Sequence, residues 1–355
     1  MSELTMLDYI NEEYEVLNKI LRTWKFEDAT KLFEKKAQRI LILATGSSMN
    51  AALAAKYFIE KSADTLVVIE EPFNYLQYEK VDPEVDLVLV ISQSGTSTST
   101  INAIEKVQKA KLDTVILTSN IESPIVKTGA KVLDLAMGIE TVGYVTKGYS
   151  VTVLTLYLLG LSLALHNQKM DASEIQNKMN ELTSIVSLIP TTITRSINYF
   201  KENINIFQQF TRLACIGYGS NYGVAKEFET KFTETVRRPS SGFEVEAYMH
   251  GPYLEANANH LLFFIEDTSP IAERSKHLSE YMERSVGATI TITTKDIADK
   301  KSELALSAAH FDHMLIQLLT IIPIQVWSYK LATSLDIDLS VDPFPDFDTA
   351  LKSKI

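Results

Sequence analysis

The sequence predicts an α/β protein with two tandem domains, each a doubly wound parallel sheet between helices, in three αβα layers. Two observations support this fold class. Strand patterns alternate with helix patterns along the chain, and one strand, glycine turn and helix unit recurs after about 174 residues. A length of 355 residues accommodates two such domains.

The first unit begins with an apolar strand at 39–44, followed by a turn at Gly46 and a helix from about residue 49. Its counterpart has a strand at 212–216, a turn at Gly219 and a helix over about 222–236. Gly219 follows Gly46 after about 173 residues, which is the spacing expected of a repeated unit.

Two further strand pairs keep this spacing. The strand at 85–91 ends about 174 residues before the one at 261–265, and the strand at 114–118 ends about 175 residues before the one at 289–293. Nearly constant offsets indicate a duplicated domain. The predicted organisation is a helical N-terminal arm (1–36), a first domain (37–170), a helical connector (171–200), a second domain (201–335) and a C-terminal tail (336–355). We expect the tail to dock through Phe344, Phe347 and Leu351.

Composition narrows the class of protein. A net charge of −11 disfavours nucleic acid and membrane partners, and a single cysteine, Cys215, excludes an internal disulfide framework. The six histidines show no zinc-type spacing, so we expect no metal. Residues 1–9 lack a secretory signal, and the apolar stretch at 148–168 fits a buried helix, so the expected location is cytoplasmic. The turn at Gly46 lacks the three-glycine dinucleotide pattern, so we expect no cofactor.

Ligands of open parallel sheets bind beyond the carboxyl ends of the strands. The segment after the strand at 85–91 holds hydroxyls around Gly95 and precedes a helix, which is typical of a phosphate site. The glycine turn after the strand at 39–44 is weak evidence by itself, and we group it with this segment under the name hydroxyl cradle. Its members are Gly46, Ser47, Ser48, Ser92, Gln93, Ser94, Thr96, Ser97 and Thr98.

The second copy has Glu266 and Asp267 at the equivalent place, where two carboxylates would repel phosphate. It offers acid and base candidates instead. Lys231 and Glu234 fall on one face of the predicted helix, an arrangement that solvated salt bridging also explains. His250, followed by Gly-Pro, is a candidate acid or base.

These residues resemble a known family. The chain is similar throughout to the isomerase half of glutamine–fructose-6-phosphate aminotransferase and to the tandem sugar isomerase (SIS) proteins. The resemblance rests on Gly46-Ser47-Ser48, on Ser92-Gln93-Ser94-Gly95 with Thr98, on the segment 140–147, on Glu234 with His250 sixteen residues later, and on Leu351-Lys352-Ser353.

The resemblance implies a role for each matching residue. The cradle would hold the phosphate of a hexose 6-phosphate, and Gly143 and Lys147 would touch the sugar. Glu234, beside Lys231, would move a proton between C1 and C2, His250 would assist ring opening, and Lys352 would form an imine with the keto sugar. It also implies a homodimer with composite active sites.

The chain departs from the family pattern in three places. Its start, Met1-Ser2-Glu3, lacks the nucleophilic cysteine of a glutaminase half. In the tail, Pro343-Phe-Pro-Asp-Phe347 replaces the usual Pro-Arg pair, and the run 142–145 in the loop also differs. These loops would touch the sugar, so they leave its identity open.

The leading hypothesis is an isomerase or deaminase of an amino-substituted hexose 6-phosphate, working through an enediol. The runner-up is a deglycase that cleaves a phosphorylated sugar–amino acid adduct. A phosphosugar sensor without turnover is a third reading, and a scaffold role would leave the hydroxyls unexplained.

Overall fold

The computed structural model describes residues 4–355, which form two compact units. The front unit comprises Val16–Asn180 and the tail Asp342–Ile355. The rear unit comprises the chain up to Glu15 and Glu181–Val341. Each unit contains one five-stranded sheet.

Strands and helices alternate through both units, as the sequence predicts. Up to residue 187 the elements are α1 (Met6–Thr23), α2 (Phe26–Thr30), β1 (Arg39–Leu43), α3 (Ser47–Ala63), β2 (Leu66–Glu70), α4 (Pro72–Gln77), β3 (Leu87–Ile91), α5 (Thr98–Lys109), β4 (Thr114–Thr118), β5 (Lys131–Asp134), α6 (Lys147–His166) and α7 (Ala172–Ser187). They continue with α8 (Ile189–Glu202), α9 (Ile204–Gln209), β6 (Arg212–Gly217), α10 (Asn221–Lys231), β7 (Ser240–Glu244), α11 (Val245–Met249), β8 (His260–Glu266), α12 (Ala272–Met282), β9 (Ala288–Thr293), β10 (Glu303–Ala305), α13 (Gln317–Ser334) and α14 (Phe347–Leu351).

The two sheets share one topology. The front sheet has the order β2-β1-β3-β4-β5 and the rear sheet β7-β6-β8-β9-β10, and every neighbouring pair is parallel. The register also matches, since Leu41 lies opposite Val88 in the front sheet and Ala214 lies opposite Leu262 in the rear sheet. Because these pairs keep the nearly constant offset seen in the sequence, the fold confirms the predicted α/β class and its duplicated sheet.

The front core is built on strands that are buried along their whole length, as expected for a parallel sheet covered on both faces. All five residues of β3 are buried. Helix α6 packs on α3 so closely that a Cβ at Gly160 would lie 3.2 Å from Ile59 Cγ1. Among the described residues, α6 is the one helix long and apolar enough to cross a membrane, and 94% of its apolar window is buried inside the protein.

The rear core is rich in aromatic residues. The ring centroids of Phe228 and Phe263 are 4.8 Å apart, and those of Phe207 and Trp327 are 5.3 Å apart. Each such buried side chain contributes about 1.5–3 kcal/mol of transfer free energy. Helix α10 lies directly against β7, because a Cβ at Gly242 would be 2.1 Å from the Ala225 carbonyl oxygen. The core therefore fixes the helix that carries the candidate base.

Cys215 lies in β6 and is completely buried, so it is a thiol of the rear core. Burial raises the pKa of this thiol well above its usual range, so the residue stays protonated and inert. Between residues 4 and 355, no group of three or more His, Cys, Asp or Glu side chains could hold a metal ion.

Candidate functional site

The first part of the hydroxyl cradle lies at the carboxyl end of β1. Gly46 has φ +56°, a left-handed conformation that favours glycine, and caps helix α3. The helix begins at Ser47, two residues earlier than the sequence predicts, so Ser47 and Ser48 form its first turn. Both are buried, and the backbone amides of a first helical turn point towards a potential anion.

The second part of the cradle follows β3. Gly95 has φ +68°, and a Cβ there would lie 1.9 Å from Ser123 Oγ, so no other residue fits. This tight turn leads into α5, which has Ser97 as its N-terminal cap. The Ser94 and Thr96 hydroxyls lie 2.9 Å apart, and Ser94 is exposed. The turn therefore presents hydroxyls at a helix N-terminus, as the sequence predicts.

Gln93 belongs to the cradle by sequence, but its side chain faces α6. Its Nε2 donates to Thr152 Oγ1 at 3.0 Å, and its main-chain carbonyl accepts from Ser119 N and Oγ at 3.0 and 2.7 Å. A Cβ at Gly148 would lie 2.5 Å from Gln93 Oε1. The side chain is thus held by α6, and the main chain by the loop after β4.

Glu140 fixes the start of α6. In the sequence analysis its segment, 140–147, served only as evidence for the family resemblance. Glu140 Oε2 accepts from the backbone N–H groups of Thr146 and Gly148, at 3.3 and 3.1 Å, and so caps α6. Burial raises the pKa of Glu140 above its usual range, and these N–H groups partly offset that effect. Lys147, predicted to touch the sugar, is buried as the first residue of α6, whereas Gly143 has open space around its Cα.

The tail docks on the cradle through backbone hydrogen bonds. Thr98 Oγ1 donates to the Lys352 carbonyl at 2.9 Å, and Thr98 N donates to the Ser353 carbonyl at 3.1 Å. Ile355 N donates to the Thr96 carbonyl at 3.0 Å. Lys352 adopts the left-handed conformation, with φ +52°, and its side chain is exposed. These contacts bring the candidate imine-forming lysine to the edge of the cradle.

The expected basis of tail docking was wrong. Phe344, Phe347 and Leu351 are 68%, 55% and 63% exposed, so they do not anchor the segment to the protein described here. Instead, Asp348 accepts from Ser353 Oγ and Lys354 Nζ, at 2.5 and 2.6 Å, and shapes the turn that offers its carbonyls to the cradle. The prediction rested on the apolar residues of the tail, so it did not anticipate that polar contacts hold the tail in place.

The candidate base lies in the rear unit, on an irregular turn. Helix α10 ends at Lys231 and continues as a π turn over Phe232–Val236, where the sequence predicts an unbroken α-helix. Arg237, with φ +56°, terminates it. Single π turns often occur at functional sites. Glu234 lies in the middle of this one.

Lys231 is completely buried beneath this turn. Its Nζ lies 2.5 Å from Glu234 Oε2 and 3.7 Å from Glu227 Oε1. The Glu234 side chain is 39% exposed, whereas that of Glu227 is 1% exposed. Burial of the lysine excludes the alternative of a solvated salt bridge. One ammonium thus holds one oxygen of Glu234 and leaves Oε1 accessible.

His250 caps the short helix α11 and is 76% exposed. Its Nδ1 lies 2.7 Å from the Glu246 carbonyl oxygen, which can only accept, so Nδ1 carries a hydrogen and Nε2 is left available. Arg274 holds the Glu246 carboxylate at 2.7 Å. Among the described residues, the polar contacts of His250 are with Glu246 and not with Glu234.

The fold and these sites define a sugar isomerase domain protein. The SIS domain model matches residues 32–164 and 206–334, so the chain belongs to the SIS family. The chain is 25% identical over 342 residues to glutamine–fructose-6-phosphate aminotransferase (isomerizing) of Aquifex aeolicus, covering 94% of this chain and 55% of that protein. It spans about half the length of the curated relatives it matches.

Solved structures share the fold. The C-terminal domain of glucosamine-fructose-6-phosphate aminotransferase from Francisella tularensis matches with a TM-score of 0.85 and 21% identity, over 94% of this chain and 97% of that one. Glucosamine-6-phosphate deaminase from Thermotoga maritima matches with a TM-score of 0.77 and 19% identity, over 95% and 97%. At these identities the likeness shows the fold alone.

Proposed function

We propose that the protein is a phosphosugar isomerase-type enzyme that acts on an amino-substituted hexose 6-phosphate. The observation that carries the proposal is the buried Lys231 ammonium 2.5 Å from the half-exposed Glu234 carboxylate. A base that moves a proton next to a carbonyl needs one free oxygen and a fixed orientation. Lys231 supplies the orientation and leaves the other oxygen for the substrate.

The proposed chemistry divides among named residues. The hydroxyl cradle binds the phosphate, as the helix N-terminus at Ser47 and the hydroxyls of the turn before α5 favour, whereas the N–H and the hydroxyl of Thr98 hold the tail. Glu234 removes the proton from C2 of the open-chain amino sugar and returns it to C1 through an enediol-type intermediate. His250 Nε2 accepts the proton of the C1 hydroxyl and delivers a proton to the ring oxygen as the C1–O5 bond breaks. No metal or cofactor is invoked.

Loss of the nitrogen follows from the same proton transfer. Moving the proton from C2 to C1, while one amine proton passes to O1, converts the C2 amine into an imine and the C1 aldehyde into an alcohol. Addition of water to the imine then releases ammonia and leaves fructose 6-phosphate. In the reverse sense, the Lys352 amine adds to the C2 carbonyl of the keto sugar and one water leaves, and ammonia then displaces the lysine from this imine, which regenerates the Lys352 amine. The docked tail supports this role because it holds Lys352 beside Thr98.

The test incubates the purified protein separately with glucosamine 6-phosphate and with fructoselysine 6-phosphate. Ammonia and fructose 6-phosphate from the first substrate support the proposal. Release of lysine and glucose 6-phosphate from the second identifies the deglycase instead. Binding of both without any product identifies a sensor and contradicts the proposed enzyme.

A homodimer with composite sites is part of the proposal, because His250 is largely exposed in the single chain. The test mixes Glu234→Gln with His250→Ala, two variants that are each expected to be inactive. If His250 acts on the substrate of a second copy, the mixture regains about a quarter of wild-type activity, because random pairing leaves one intact site in half of the dimers. Activity that stays at the level of the separate variants contradicts the composite site.

A further inference from the structure

The rear unit has a polar pair at the positions that correspond to two residues of the hydroxyl cradle in the front unit. The matched strand registers, which carry the offset of about 174 residues between the two copies, place Asn221 in the position of Ser48 and Asp267 in the position of Gln93. In the front unit the two positions belong to the hydroxyl cradle. In the rear unit they bond directly to each other, with Asn221 Nδ2 donating to Asp267 Oδ2 at 2.9 Å.

Three donors converge on the Asp267 carboxylate, two of them from the junction between β6 and α10 and one from the loop that carries Asp267. Besides Asn221, the Tyr218 hydroxyl donates to Oδ1 at 3.0 Å, and the backbone N–H of Ser269 donates to Oδ1 at 2.8 Å. Tyr218 and Asn221 are almost fully buried. Burial and the charge of Asp267 raise the pKa of Tyr218 far above its usual range, so its hydroxyl remains a donor. Neutral donors on an oxyanion make a typical anion receptor.

The network also fixes one end of the helix that carries the candidate base. Asn221 is the first residue of α10, and its Oδ1 accepts from Gln317 Nε2 and Thr320 Oγ1 of α13, at 3.1 and 3.2 Å. Asp267 holds the other end of the same carboxamide. Lys231 lies at the far end of this helix, about 15 Å away by the helical rise.

We propose that Asp267 is a built-in anion, which is held by the donors of Tyr218, Asn221 and Ser269 and orients α10 for catalysis. Its carboxylate stands where the front unit has the neutral Gln93, so the negative charge at this position belongs to the rear unit alone. Asp267 is a positioning residue that acts through Asn221. The effect of Asp267 on catalysis rests on the proposed function. Its role as an anion held by three donors does not.

The experiment removes the carboxylate and supplies a small anion in its place. Asp267→Gly leaves the donors of Tyr218, Asn221 and Ser269 around an open position. We expect a lower melting temperature, which tens of millimolar formate raises by several degrees more than in the wild type. Asp296→Gly, at an exposed aspartate, is the matched control and gains no more from formate than the wild type. Equal formate responses in both glycine variants overturn the proposal.

Kinetics supply the second measurement. For Asp267→Gly we expect kcat to fall by roughly tenfold to a hundredfold while KM stays within a few fold, because a tilted α10 misplaces Glu234. Formate should restore part of kcat in this variant alone. An unchanged kcat overturns the positioning role. If the wild type turns over neither sugar phosphate, the proposed function fails, and the melting experiment still decides whether Asp267 acts as an anion.

A second variant decides the matter if Asp267→Gly does not fold. Asp267→Asn keeps the shape but points an amide donor at donor groups, so we expect a lower melting temperature that formate does not restore, because the position is filled. A melting temperature equal to that of the wild type would overturn the proposal.

Discussion

The hydroxyl of Thr98 donates to the carbonyl of Lys352 across 2.9 Å, although 254 residues separate them. The Thr98 backbone N–H is also held by the tail, at the Ser353 carbonyl. Two donors at the N-terminus of α5 are therefore engaged by the protein itself. This pairing links the segment proposed to bind phosphate with the lysine proposed to form an imine.

Replacing Thr98 by Val removes the hydroxyl donor and keeps the shape of the side chain. We expect the tail to lose about 1 kcal/mol of docking free energy, the usual net value of one hydrogen bond. Trypsin should then cleave faster after Lys352 and Lys354, by a factor of about five. Thr194→Val removes a hydroxyl that bonds only within its own helix and is the control. Equal cleavage rates in both variants would show that the tail is held by other contacts.

Replacing Gly95 by Ala tests the tight turn of the cradle. A Cβ would clash with Ser123, and the residue would have to keep φ +68°. We expect unfolding free energy to fall by about 2–4 kcal/mol from these two effects. Gly143→Ala, where the space is open, should change it by less than about 0.5 kcal/mol. Urea denaturation measures the unfolding free energy of both variants. Similar losses in Gly95→Ala and Gly143→Ala would refute the turn geometry.

Replacing Lys231 by Met tests the buried ion pair. The change leaves the Glu227 carboxylate buried without this ammonium, so we expect unfolding free energy to fall by about 3–5 kcal/mol. Adding Glu227→Gln should recover part of that loss, because a neutral amide then replaces the buried carboxylate that has lost this ammonium. Denaturant melts of the single and double variants provide the measurement. A double variant less stable than Lys231→Met would count against the charge argument.

Glu266 makes stability depend on pH. Burial raises its pKa to about 7, and Glu303 adds to the effect, while Lys295, Lys276 and Lys300 oppose it. The carboxyl lines a cavity of about 230 Å³ between α12 and the β9–β10 connection. A pKa raised on folding favours the protonated form, so the stabilisation is complete below about pH 4.5 and is lost as pH rises through 7.

Replacing Glu266 by Gln should therefore leave stability nearly unchanged at pH 5 and increase it at pH 8, by on the order of 2 kcal/mol. Thermal or urea unfolding at both pH values checks this difference. Glu273→Gln, at an exposed carboxylate, should show the same stability change at both pH values. An Asp- or Glu-type pH profile that persists in Glu266→Gln would assign the titration to another group.

The sequence predicted the duplicated sheet because parallel strands are apolar along their length, and their spacing survives divergence of the loops. It also predicted that Lys231 and Glu234 share a face, since that follows from helical periodicity. It could not predict the π turn that contains Glu234, because apolar periodicity does not distinguish one π turn from a continued α-helix. The Asp267 network was missed for a similar reason. Two adjacent carboxylates suggest repulsion of anions, and only the fold brings three donors to one of them.

The most direct test of Glu234 as the catalytic base is hydrogen exchange at C2 of glucosamine 6-phosphate in D₂O, followed by NMR. The wild type should exchange this proton with solvent, and Glu234→Gln should slow the exchange by at least about a hundredfold while sugar phosphate binding stays within a few fold. Glu273→Gln should exchange like the wild type. Exchange at the wild-type rate in Glu234→Gln would contradict the assignment of Glu234 as the base.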